Sequence, residues 1–214
     1  MASDGAPPRI EPLPVDKWAP EVSAVWTADS LKSRKSRLPA HLTDLPDTLN
    51  LTRILAHHPD LAVAVYPLST LLNAGLLPPR DRELMTVRTA LRSASGYLWS
   101  HHYETAQAVG LTEAEVLRIA DDPATVGWSP HEAALITAVD EICDAAVIGA
   151  VAWRQLRLTY DDAQVLEVLA LVGVYRLLAT VLSTSGAALD AWRPERPLPA
   201  ATVTAVRARR DDQP

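Results

Sequence analysis

Between Val165 and Leu182 the chain carries only two charges, Glu167 and Arg176, among Val165, Val168, Leu169, Leu171, Val172, Val174, Leu177, Leu178, Val181 and Leu182. A helix apolar on nearly every face must be covered on every face. The stretch approaches membrane-spanning length, yet each charge would cost roughly 2.5–3.5 kcal/mol at bilayer depth. A buried core helix is therefore expected, with no membrane partner. Asp161 and Gln164 form a capping pattern at its start, so the helix is expected to open there and run to about Ala188. Seven or so short helices cannot bury it alone, and a homo-oligomer is expected.

The rest of the chain has the same period. Leu61, Val65, Leu68 and Leu72 define one face of a helix from Asp60 to Ala74, and Pro78-Pro79 resets the chain for a helix from Arg80 to about Ser95. Thr112 with Glu115 caps a short helix to Ala120, and Ser129-Pro130-His131-Glu132 opens another through about Ala146. No useful run alternates with period 2, so the fold class is all-α. Residues 46–190 form the helical domain. Residues 1–45 read as an N-terminal arm rich in proline, with a charged patch at Lys32-Ser33-Arg34-Lys35-Ser36-Arg37, and residues 191–214 as an extended proline-rich tail. Trp18 and Trp26 are expected to pin the arm to the body or to a second subunit.

Composition removes several functions. The 214 residues carry a net charge of −6 with mixed signs, so no basic footprint for nucleic acid exists. Arg207, Arg209 and Arg210 read as a solvated tail. The single cysteine, Cys143, excludes an intramolecular disulfide and a CxxC centre. Asp4, Pro7 and Pro8 stand where a leader would place a basic cluster and an apolar run, so a cytoplasmic location is expected.

The chemistry concentrates between Arg82 and Thr112. Leu98, His102, Ala106 and Val109 share one helical stripe, which turns His102 inward. Glu83 lies on a row with Val87, Ala90 and Ala94 one helix earlier. If that row faces Leu98 and His102, the carboxylate orients the imidazole and sets its tautomer, leaving one ring nitrogen to move a proton. A buried pair that merely satisfies itself is the alternative.

Arg82-Glu83-Leu84 followed by Tyr97-Leu98-Trp99 with His102, Ala106 and Gly110 resembles the carboxymuconolactone decarboxylase family, which includes the alkylhydroperoxidase D-type proteins. Arg53 to Pro59, Leu77 to Arg80, Ala138 to Ile142, Tyr160-Asp161, Gln164 and Leu171 to Tyr175 are similar to the family as well. The resemblance implies a helical bundle of that type and assembly into dimers, trimers or hexamers. It implies Glu83 and His102 as the catalytic pair. Redox-active members place two cysteines seven and four residues before the histidine, positions held here by Ser95 and Leu98, so thiol peroxidase chemistry is not expected.

A cofactor-free lyase or proton-transfer reaction on a small carboxylated or lactone-type metabolite needs a cation, an apolar wall and an acid. Arg82 or Arg88 can supply the first, Leu98 and Trp99 the second and His102 the third, with Ser95 and His101 beside them. Leu98 also replaces a glutamate common in cysteine-less relatives. A metal site drawn from His57, His58, His101, His102 and Glu83 is the second reading, possible because imidazoles and a carboxylate are ordinary ligands. A non-catalytic binding protein on the same scaffold is the third. Tyr97, Tyr103, Tyr175, Trp99 and Trp153 are expected to pack.

Overall fold

The computed structural model describes residues 7–26, 48–122, 127–200 and 202. The charged patch at 32–37 and the arginines at 207–210 lie outside them. Among the described residues there are nine helices and no strand: α1 (Pro20–Val25), α2 (Asn50–Leu55), α3 (Pro59–Asn73), α4 (Pro79–Arg92), α5 (Gly96–Ala108), α6 (Glu113–Arg118), α7 (Pro130–Ala145), α8 (Ala150–Leu156) and α9 (Asp162–Ser185).

Helix starts follow local chemistry. Thr112, Ser129 and Asp161 each accept from the backbone N–H three residues on, while Glu115, Glu132 and Gln164 reach back to the cap residue's own N–H. Two ends come earlier than the sequence suggests. Gly186 adopts φ 72° and closes α9 three residues before Ala188. After α4 ends at Arg92, Ala94 takes φ 47° and turns the chain into α5.

The central element is α4, which packs against α5, α7 and α9. Every residue from Asp81 to Leu91 is buried, although the helix carries Asp81, Arg82, Glu83 and Arg88 along this run. Burial is tolerable because each charge meets a partner. Asp81 accepts from Tyr160 Oη (2.5 Å) and from His131 Nε2 (2.9 Å). Arg88 donates to both oxygens of Asp140 (2.8 and 2.6 Å) and to the carbonyls of Ile119 and Asp121. At the start of the helix Arg80 bridges Glu115 (2.5 Å) and Glu132 (2.9 Å), and at its end Arg92 pairs with Asp144.

Helix α9 is long and apolar enough to cross a membrane by length and composition. Its Glu167 is buried and accepts from the backbone N–H groups of Leu76 (2.8 Å) and Leu77 (3.2 Å), clamping the turn between α3 and α4. The carboxylate sits so close that a Cβ at Gly75 would come within 2.2 Å of it, so any side chain there would push the carboxylate out of its clamp. Leu166, Leu169 and Leu177 remain exposed along one stripe of α9.

Several packing expectations need correction. Leu61 and Leu68 are exposed, because the buried stripe of α3 is rotated onto Ala62, Val65 and Leu72. Trp153 is also exposed and lies under the guanidinium of Arg157. Within the arm, Trp18 and Val22 join the core and α1 packs on α3. The tail after α9 lies along α5, where Pro197 O accepts from Trp99 Nε1 (3.2 Å) and Arg196 N–H donates to Ser100 Oγ (3.0 Å).

Candidate functional site

Helices α4 and α5 bring Glu83 and His102 together. His102 Nδ1 lies 2.7 Å from Glu83 Oε2. A carboxylate only accepts, so Nδ1 carries the proton and Nε2 keeps its lone pair. Nε2 has no hydrogen-bond partner among the described residues. The ring meets Tyr175 edge to face at 5.1 Å. Glu83 is 1% exposed, and its other oxygen lies 3.4 Å from Arg82 Nε. Burial pushes the Glu83 carboxyl up, but His102 and then Arg82 outweigh it, so the carboxyl sits below its ordinary range.

Both side chains border a cavity of about 170 Å³. Its lining comes from most of the bundle: Trp26 follows α1, Thr52 lies on α2, Tyr66 on α3, Leu98 on α5 and Tyr175 on α9, while Trp192 and Arg193 come from the tail. Thr52 is fully buried and its hydroxyl has no hydrogen-bond partner.

A second imidazole borders the same space. His101 Nε2 lies 2.8 Å from Asp190 Oδ2, an oxygen that also accepts from Tyr97 Oη, while Asp190 Oδ1 accepts from Asn50 N–H (2.8 Å). The ring stacks on Tyr97 at 4.5 Å and meets Trp192 edge to face at 5.4 Å. Burial, joined by the nearby Arg193 charge, outweighs the Asp190 hydrogen bond and pushes the imidazole down to about 4. Asp190 itself is raised by burial but held below the usual carboxylate range by His101 and Tyr97.

Of the residues singled out in the sequence, Glu83, Leu98, His101 and His102 border the cavity. Arg82, Arg88, Ser95 and Trp99 do not. Arg82 turns away to Glu83 and the Asn73 carbonyl (2.9 Å), and Arg88 is consumed by Asp140, so neither is the substrate clamp expected of it. Ser95 caps α5 by accepting from Leu98 N–H (3.4 Å), and Trp99 faces the tail. The alternative metal ligands are dispersed: His57 Nε2 contacts the Glu11 carbonyl (2.8 Å), and His58 Nδ1 caps α3. No group of three or more histidine, cysteine or carboxylate side chains suited to a metal occurs among the described residues.

Sequence reasoning missed Thr52, Asp190, Trp192 and Arg193. For Trp192 a signal existed, because an indole in an otherwise polar, proline-rich stretch needs burial as much as Trp18 does. Thr52 and Asp190 offered none, since their roles depend on contacts across the fold.

The described residues thus form an all-α bundle in which a glutamate–histidine pair faces a partly open cavity. Residues 59–141 match the family model described as "Carboxymuconolactone decarboxylase family". Solved structures share the fold. The apo debrominase Bmp8 superposes with a TM-score of 0.67 at 17% identity, covering 86% of this chain and 92% of that one. A variant of Bmp8 in complex with 2,3,4-tribromopyrrole gives 0.65 at 16% identity, covering 93% and 96%. The alkylhydroperoxidase core of an uncharacterised peroxidase-related protein from Ralstonia eutropha JMP134 gives 0.64 at 20% identity, covering 89% and 100%. Comparison with curated protein sequences finds no match.

Proposed function

We propose that this chain is a cofactor-independent proton-transfer or lyase enzyme acting on a small cyclic metabolite, without thiol peroxidase activity. The observation that carries this reading is the 2.7 Å bond between His102 Nδ1 and Glu83, which leaves Nε2 unpartnered on the cavity wall. A ring nitrogen so placed can take a proton from carbon or return one, and the buried carboxylate stabilises the imidazolium formed meanwhile. In a lyase step on a carboxylated ring Nε2 first takes the substrate's acidic proton, the carboxylate departs as carbon dioxide and leaves its electron pair on the ring carbon, and the same proton returns from Nε2 to that carbon. Lactone-type substrates remain in the reading. The carboxylate clamp assigned to Arg82 and Arg88 leaves it, because both guanidiniums are engaged elsewhere. The pyrrole bound by the Bmp8 variant supports small rings as the size class.

The exposed stripe of Leu166, Leu169 and Leu177 on α9 supports a homo-oligomer.

The test is hydrogen–deuterium exchange at carbon and turnover, followed by NMR in D2O, over a panel of small lactones, lactone acids and cyclic ketones. His102→Gln should abolish whichever activity the wild type shows. Full activity in a well-folded His102→Gln protein would refute the reading.

A further inference from the structure

The two adjacent histidines are not equivalent. Asp190 Oδ2 accepts from Tyr97 Oη and from His101, and Oδ1 accepts from Asn50 N–H. With a backbone donor on one oxygen and a phenol on the other, the carboxylate can only accept from His101. The proton of His101 therefore resides on Nε2, and Nδ1 presents a bare lone pair. Nδ1 has no hydrogen-bond partner among the described residues, and the ring borders the cavity. The hydroxyl of Thr52, fully buried and unpartnered, lies on the same lining.

The charges around this space cancel. Arg82 is set against Glu83, and Arg193 and Arg196 against Glu104 and Asp190. Arg193, the guanidinium on the lining, is tied to Glu104 at 2.9 Å. Among the described residues these charges leave no net charge for a ligand to neutralise. The size is equally restrictive, since an apolar cavity of about 150 Å³ holds one benzene and this one measures about 170 Å³.

We propose that the cavity takes a neutral single-ring molecule carrying one O–H or N–H group, that His101 Nδ1 accepts that group, and that His102 Nε2 meets the ring. Thr52 Oγ1 is the second polar contact of the bound molecule. His101 thus selects the substrate and His102 performs the proton transfer, so the assignment rests on the reading of this cavity as a substrate site. It narrows that reading to phenol-like, enol-like or azole-like molecules. Low basicity fits the acceptor role, since a ring pushed down to about 4 stays neutral at physiological pH and cannot donate from Nδ1.

Binding of phenol, its isostere toluene and the anion benzoate, measured by calorimetry at pH 7 on the full chain, tests this. Toluene leaves water more readily than phenol, so a preference for phenol reports a hydrogen bond. Phenol is expected to bind about tenfold more tightly than toluene, the ratio one good hydrogen bond supplies, and more tightly than benzoate. His101→Leu should invert the order to toluene first, and Thr52→Val should weaken phenol a few-fold. Asp190→Asn gives a second route. Asn50 N–H fixes the amide oxygen, so the amide N–H2 must donate to His101 Nε2, move the ring proton to Nδ1 and erase the preference. Nitrogen-15 NMR of the wild type reads the tautomer directly. His102→Gln should lose activity and keep the phenol preference, which separates failure of this assignment from failure of the proposed function. Absent phenol binding, equal or reversed affinities, tighter benzoate, or a proton on Nδ1 of wild-type His101 would each overturn it.

Discussion

Replacing Glu83 by Gln tests the electrostatics that hold the site together. The substitution keeps shape and removes one charge from a position 1% exposed. Two losses follow. The hydrogen bond from His102 Nδ1 changes from charge-assisted to neutral, a difference of about 1 kcal/mol. Arg82, itself 4% exposed, is left without its counter-charge at 3.4 Å. Removing one member of a buried pair costs about 3–5 kcal/mol, and the surviving bond from Arg82 to Asn73 O at 2.9 Å places this case at the low end. The sum is about 4 kcal/mol, or roughly 10 °C in Tm for a chain of this size. Since domains have about 5–15 kcal/mol in hand, the variant should still fold. Adding Arg82→Met removes the stranded cation and should restore about 2 kcal/mol. Urea denaturation of the wild type, both single variants and the double variant, followed by circular dichroism, gives the cycle. A cost below about 1 kcal/mol for Glu83→Gln, or effects that add to within about 0.5 kcal/mol, would show that Glu83 and Arg82 are not a coupled buried pair.

Acid should destabilise the protein through His101. Its ring titrates near 6.5 when free and near 4 in the fold, so the unfolded chain binds more protons between these values and stability falls as pH drops through that window, by roughly 3 kcal/mol in total. Denaturation midpoints from pH 7 to 4 should show this fall, and His101→Leu should flatten it. Arg88→Ala should cost about 3 kcal/mol, the low end for a buried pair because Arg92 stays 3.5 Å from Asp140, while leaving the affinity for phenol unchanged, as differential scanning calorimetry and titration would show; loss of binding in the folded variant would return Arg88 to the site. Burial raises the Cys143 thiol, so Cys143→Ala should leave peroxide consumption at the wild-type level and the native thiol should react slowly with a disulfide reagent. Leu169→Lys with Leu177→Lys should lower the mass seen by light scattering; an unchanged oligomer would place the interface elsewhere.

What was legible depended on sequence distance. The capping boxes at Thr112, Ser129 and Asp161 connect residues three apart, so side-chain chemistry alone announced those helices. The family motif and helical period together brought Glu83 and His102 onto facing rows, and they do touch. The burial of the charges on α4 was not legible, because their partners arrive from α5, α7 and the α8–α9 turn. Arg82 and Arg88 looked like substrate cations for the same reason. A charge on a helix is free only if no distant carboxylate or carbonyl claims it, and 52 residues separate Arg88 from Asp140.

The inward stripe of α5 predicts one buried histidine, yet His101 is 8% exposed and as much part of the wall as His102. Consecutive helical residues diverge by about 100°, so both can border one cavity only if the space wraps a quarter of the helix and something closes its far flank. The segment after α9 does so. Asp190, Trp192 and Arg193 cover the side of α5 that α4 leaves open. Each ring is then held from its own side, His102 by Glu83 on α4 and His101 by Asp190 on the tail, and the two carboxylates fix opposite tautomers: a free Nε2 on one ring and a free Nδ1 on the other. A bundle without the tail would expose His101 to water on that flank, raise its basicity and erase the difference between the neighbours. The tail is thus the element that gives the two adjacent histidines different partners and different tautomers.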